Sequence, residues 1–114
     1  SSSIFVTNPV PSAPIDVSQV LSSAEPTYKV YRISWSNPNP PADLAGYKVY
    51  ISTTSGFTPS EANLQFDGIS LGVSHVVNLD GSGKHPAQYV RVGAYDIWGN
   101  EVITAPQITI PAVI

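Results

Sequence analysis

The chain has 114 residues, 42% of them hydrophobic and only 11% charged, with a formal net charge of -3. It contains no Cys, which excludes disulfide scaffolds, thiol nucleophiles and zinc ribbons. Its five Lys and Arg residues are too few for a phosphate-neutralising stripe, and no apolar run approaches the ~20 residues of a bilayer span, so neither nucleic-acid binding nor membrane insertion is expected.

Read from the start, residues 1–13 form a linker or N-terminal extension. Pro9 and Pro11 there, and Pro14 just after, fix φ and remove amide donors, which keeps the stretch extended and poorly paired. IDVSQVL is a weak strand. YKVYRISWS (Tyr28–Ser36) alternates, with Tyr31, Ile33 and Trp35 on one side and Arg32 and Ser34 on the other. GYKVYIST repeats the period, setting Tyr47, Val49 and Ile51 against Lys48, Tyr50 and Ser52. A short helix is expected over Pro59–Asn63, with Thr58 as N-cap, Pro59 at the first helical position and Glu61 closing a capping box. LGVSHVVNL supplies another weak strand. QYVRVGAYD places Val90, Val92 and Ala94 opposite Tyr89, Arg91, Gly93 and Tyr95, and PQITIP is the last run. Pro111 breaks that strand, so residues 111–114 read as the start of a further linker, and the chain as one module cut from a longer protein.

Short strands punctuated by Pro, Gly, Asn and Asp, without a sustained helical period, mark an all-β sandwich. Three motifs narrow this: ISW in the second strand, then a Pro-rich loop ending in DLAGYKVY, then YVRVGAYDIWGNE. In that order they resemble the bacterial form of the fibronectin type III domain over roughly Pro14 to Ile110, domain 14–110 of the chain. The resemblance implies an immunoglobulin-like, seven-stranded β-sandwich, three strands on one sheet and four on the other. It makes Trp35, Tyr47, Val90, Val92 and Ala94 the core-defining residues, with the Trp35 N–H requiring a partner. The family's tyrosine-corner position falls on Gln88 here, with Tyr89 one residue late. Either a bulge turns Tyr89 inward or Gln88 makes a backbone hydrogen bond instead. The segment from Ser55 to Leu71 and the AYDIWGNE ending are most similar to modules of phage and prophage tail-tip, host-specificity proteins.

No chemistry-bearing constellation stands out, so no catalytic residue, metal or cofactor is expected. His75 falls on a strand, outward or half-buried, and His85 in a solvated loop; neither has a second His at ligand spacing. Asp80-Gly81-Ser82-Gly83 reads as a tight turn rather than a calcium loop, and Asp96 with Gly99 and Asn100 as another. The remaining candidate is a surface: Tyr50, Tyr89 and Tyr95, with Lys48 and Arg91, are expected to share the outward face of the three-stranded sheet. Such a face is either an interface or merely self-stabilising through cross-strand and cation–π pairs. Trp98 either packs on Pro38, Pro40 and Pro41 or contacts a partner or sugar. The expected function is a non-catalytic structural and protein-interaction module of a phage or prophage tail protein, in tail assembly or host attachment. Its partners would be neighbouring domains, other tail or surface proteins, and a host-surface glycan. The alternative is an accessory spacer or carbohydrate-binding domain of a secreted bacterial polysaccharide-degrading enzyme or surface protein.

Overall fold

A computed structural model describes residues 13–38, 40, 42–103 and 107–114. The expected connector, Ala13 apart, lies outside them, as does Pro41. Among the described residues eight strands run in order: β1 (Ile15–Ala24), β2 (Tyr28–Ser36), β3 (Leu44–Ser52), β4 (Leu64–Gly68), β5 (Gly72–Asn78), β6 (Gln88–Asp96), β7 (Glu101–Ile103) and β8 (Ile108–Ile110). They form two antiparallel sheets in a sandwich-like arrangement. One is β1-β2-β5; the other is β4-β3-β6, with β7 and β8 both on β6. β7 pairs with Gly93–Tyr95 and β8 with Gln88–Val90, so the two occupy successive stretches of one edge.

The core follows from period-2 alternation, which sends every second side chain to the space between the sheets. Tyr31, Ile33 and Trp35 of β2 and Val77 of β5 meet Tyr47, Val49 and Ile51 of β3, Val90, Val92 and Ala94 of β6, and Ile110 of β8. Trp35 sits at the aromatic centre, 5.7 Å from the Tyr47 ring and 6.2 Å from Phe66. Its indole N–H, which the sequence says needs a partner, is buried without one among the described residues. This core relies on dispersion and apolar burial around the ring.

Two expectations change. The helix over Pro59–Asn63 is only a 3-10 turn, Glu61–Asn63, preceded by Ser60 in extended conformation. Ser60 Oγ donates to Asn63 Oδ1 at 3.1 Å rather than capping an amide. So short a helix carries its nucleation cost without propagation, and β4 begins at the next residue. The link Ser55–Leu71 also contains β4, whose Phe66, opposite Val49, packs against the core. Facing β4's beginning, the loop before it is clamped by Gln107: its side-chain oxygen accepts from Gly56 N–H at 2.8 Å and its amide donates to Ser55 Oγ at 2.9 Å.

Candidate interaction surface

The tyrosines lie outward not on the three-stranded sheet, as expected, but on the larger one, because β3 and β6 pair with each other and with β4, β7 and β8 rather than with β1, β2 or β5. Tyr50 on β3 donates to Glu101 Oε2 of β7 at 2.6 Å. Tyr95 on β6 donates its hydroxyl to Asp67 Oδ1 of β4. Lys48 lies between them, its Nζ 4.9 Å from the centre of the Tyr95 ring and its residue directly opposite Asp67. The bonds thus cross all the long strands of the sheet. They need room, and two glycines provide it. A Cβ on Gly93 would run into the Glu101 carboxylate, and one on Gly46 would stand 2.9 Å from Gly68 O and 3.1 Å from the Tyr95 hydroxyl. Glycine inside a strand marks such close approach.

This arrangement changes what the tyrosines offer. Tyr50 is only 5% exposed, so its ring is not accessible to a partner. Burial, and then its hydrogen bond to the Glu101 carboxylate, hold the phenol far above its ordinary pKa. Tyr95 is half-buried; its bond to Asp67 and then burial push its pKa up to about 12. Tyr89, half-buried, stands between Ser52 and Thr109. Arg91 is half-buried beside it, opposite Tyr50. Within this face, then, the hydroxyls of Tyr50 and Tyr95 are turned to the sheet's own carboxylates. Glu101, Asp67, Gly46 and Gly93 were not singled out from sequence. Glycine inside a strand pattern, at Gly46 and Gly93, is the signal in the sequence that marks such close approach.

Trp98 behaves differently. It lies in the turn between β6 and β7, and Asp96 builds that turn: Oδ1 accepts from Trp98 N–H at 2.9 Å and Asn100 N–H at 2.8 Å, and Oδ2 accepts from Asn100 Nδ2 at 3.0 Å. Burial alone would raise the Asp96 pKa, but these hydrogen bonds outweigh it and hold the carboxyl below the usual range. With Gly99 at φ 90° the turn closes as expected, and both Asp96 oxygens are used within it. The Trp98 residue remains 66% exposed, and Pro38 and Pro40 are exposed too, so these two prolines cover it little.

Topology gathers other apolar residues at the same end. Leu44 opposite Asp96, Tyr47 opposite Gly68 and Ser34 opposite Gly72 bring residues 42–43, 69–71 and 97–100 to one pole. Ile97 N–H donates to Asp43 O at 3.0 Å, tying two of them together. Ile15, opposite Ser36, starts β1 there. Ile15, Ile69, Leu71, Ile97 and Trp98 are all exposed at this pole, Ile69 to 81%.

The histidines are structural. His75 faces inward from β5 and bonds through Nε2 to Gln88 Oε1 at 2.7 Å, linking the two sheets. Gln88 therefore bonds a side chain, not the backbone, and Tyr89 stays on the opposite side of β6 from buried Val90. His85 corrects the expectation of a solvated loop residue: it is 4% exposed. Its ring packs edge-on against Tyr31 at 6.3 Å, Nδ1 bonds Pro86 O at 2.8 Å, and its backbone bridges Val113. The C-terminal segment, distant in sequence, covers it. In the Asp80 turn, Oδ1 accepts from the amides of Ser82 and Lys84, as a tight turn requires. Among the described residues no three His, Cys, Asp or Glu side chains are grouped to hold a metal.

No protein-family model matches this chain, and no curated protein matches it either.

Proposed function

We propose that the chain is a fibronectin type III-like module that works without catalysis, as a spacer and protein-contact element of a larger phage or prophage tail protein in tail assembly or host attachment. The observation that carries this reading is polar. β1 begins at the pole that holds Trp98, whereas β8 ends beside Gln88 and Val113 beside His85, at the opposite end. A module threaded end to end spaces its neighbours along a line, and an apolar entry pole gives the preceding neighbour something to bury. Counting β7 and β8 as one interrupted edge strand yields the three-plus-four arrangement that the resemblance implies. The low charge fits a module fixed among neighbours, since so weak a field steers no charged ligand.

The test is in the parent gene and at the pole. Tail-structural neighbours are expected around the parent reading frame, and Ile97→Ser with Trp98→Ser in the full-length protein should lower its incorporation into tails or its adsorption to cells. A glycosidase domain in the same frame overturns the tail reading. The exposed Trp98 indole favours one second reading, a carbohydrate-binding module. Glycan-array binding lost in Trp98→Ala would support it.

A further inference from the structure

Sheet edges expose backbone donors and acceptors that invite another strand, and proteins blunt them with bulges, charge, proline or brevity. β1, β4 and the β7–β8 side are blunted. β1 shifts register twice against β2, and Asp16, at φ 54°, sits in the first shift. β4 is five residues long, carries Asp67 and shifts register against β3. β7 and β8 have three residues each. β5, GVSHVVN, has no such device: seven residues pair with β2 without a shift, from Gly72 opposite Ser34 to Asn78 opposite Tyr28, with no Pro, Asp, Glu, Lys or Arg.

The ladder fixes which of its groups are open. Trp35 N–H donates to Leu71 O at 3.0 Å and Leu79 N–H donates to Thr27 O at 2.9 Å, one at each end of the pairing. Hydrogen-bonded positions alternate along an antiparallel pair. Val73, His75 and Val77 therefore direct their backbone groups to β2, and Gly72, Ser74, Val76 and Asn78 direct theirs away from it. Among the described residues, β5 has no strand on that side.

We propose that this edge takes the β5 strand of a second copy of the chain, antiparallel about a two-fold axis at His75. In that register Ser74 faces Val76 of the second copy and Gly72 faces its Asn78. Open positions meet open positions, and every outward N–H and C=O of the four residues finds a partner. A self-complementary strand is what an isologous contact requires. The charge is complementary in the simplest way: neither strand carries a residue that would repel its copy. Val76, 51% exposed on the outer face beside Val30, gains cover from the joined sheet. One strand pair buries less than the ~1,000 Å² of a durable interface, so the dimer is weak and reversible.

Sedimentation equilibrium from micromolar to millimolar chain tests this, together with amide exchange. The apparent mass should rise toward that of a dimer, and exchange at Ser74 and Val76 should slow with concentration. Val76→Lys and Ser74→Lys are outward and exposed, so each should keep the circular dichroism and melting of the parent chain while remaining monomeric. A chain that stays monomeric into the millimolar range overturns the proposal. So does association that survives both substitutions.

Discussion

The outer faces of the two sheets are built from the same plain strands and end in opposite states. On the larger sheet, Tyr50 and Tyr95 reach across neighbouring strands to Glu101 and Asp67 over the glycines that make space for them. On the smaller sheet, Ser18 and Ser34 share one 3.3 Å contact, Arg32 lies over Gly72, and Val20 and Val76 stand exposed. Aromatic and charged residues therefore accumulate on the face that has already met its own needs. The plain Ser/Val face is the one left with an open edge. An outward tyrosine is no measure of an available one: what decides is whether a neighbouring strand carries an acceptor within reach.

The largest effect expected of any single change belongs to the core that both faces share. Trp35→Ala removes the ring that Tyr47 and Phe66 pack against and should cost ~3–5 kcal/mol in urea unfolding. A nearly unchanged midpoint would mean that the sheets are held together elsewhere, and the comparison between their outer sides would lose its common reference.

Next, the glycines separate the tight face from open loops. Gly46→Ala brings a methyl against the Gly68 carbonyl, which is backbone and cannot swing aside, so overpacking of ~1–3 kcal/mol is expected. Gly81→Ala meets nothing within 4 Å and should be neutral or slightly stabilising. Equal effects in thermal melts of the two variants would show that the face has slack.

Much of this arrangement is local enough to read from the chain. Alternation assigns Ile33, Trp35, Val49, Val90 and Val92 to one side because burial repeats every second residue in long strands. β4 and β7 escape because LQFDG and EVI are too short for a period to declare itself, and Asp-Gly at the end of β4 imitates a turn. His85 escapes for another reason: its cover is Val113, a non-local partner that no window around the residue contains. The tyrosine face fails the same way. Sequence alternation puts Tyr50 outward, but its acceptor is 51 residues away, and only the fold brings Glu101 over Gly93.

That acceptor can be tested hydroxyl by hydroxyl. Tyr50→Phe leaves the Glu101 carboxylate without its donor and should cost ~1–2 kcal/mol. Tyr89→Phe removes a hydroxyl from a ring set between Ser52 and Thr109 and should stay within ~0.5 kcal/mol. If the two variants unfold at the same denaturant concentration, the Glu101 bond adds nothing and the two sheet faces differ only in composition.

The smallest effect is electrostatic and appears only in alkali. Tyr95 is a phenol whose folded pKa is raised, from the ordinary value near ~10 to about 12, first by its bond to Asp67 and then by burial. The folded state therefore holds this proton more tightly than the unfolded chain does. Its contribution is fully present below the unfolded pKa, declines as pH rises above ~10, and is gone once pH passes through about 12. Tyr50 shifts in the same direction, for burial first and then Glu101. Ultraviolet titration of the folded protein should accordingly show phenols that ionise late, and Asp67→Asn should bring one of them earlier by removing the acceptor's charge. Because Tyr95 is partly open to solvent, the gain in stability is modest and screened by salt. Phenols that all ionise at the ordinary value, with no response to Asp67→Asn, would dissolve the contrast between the closed face and the open one: the Tyr95–Asp67 bond would not persist in solution, and its ring would be as free for a partner as Trp98.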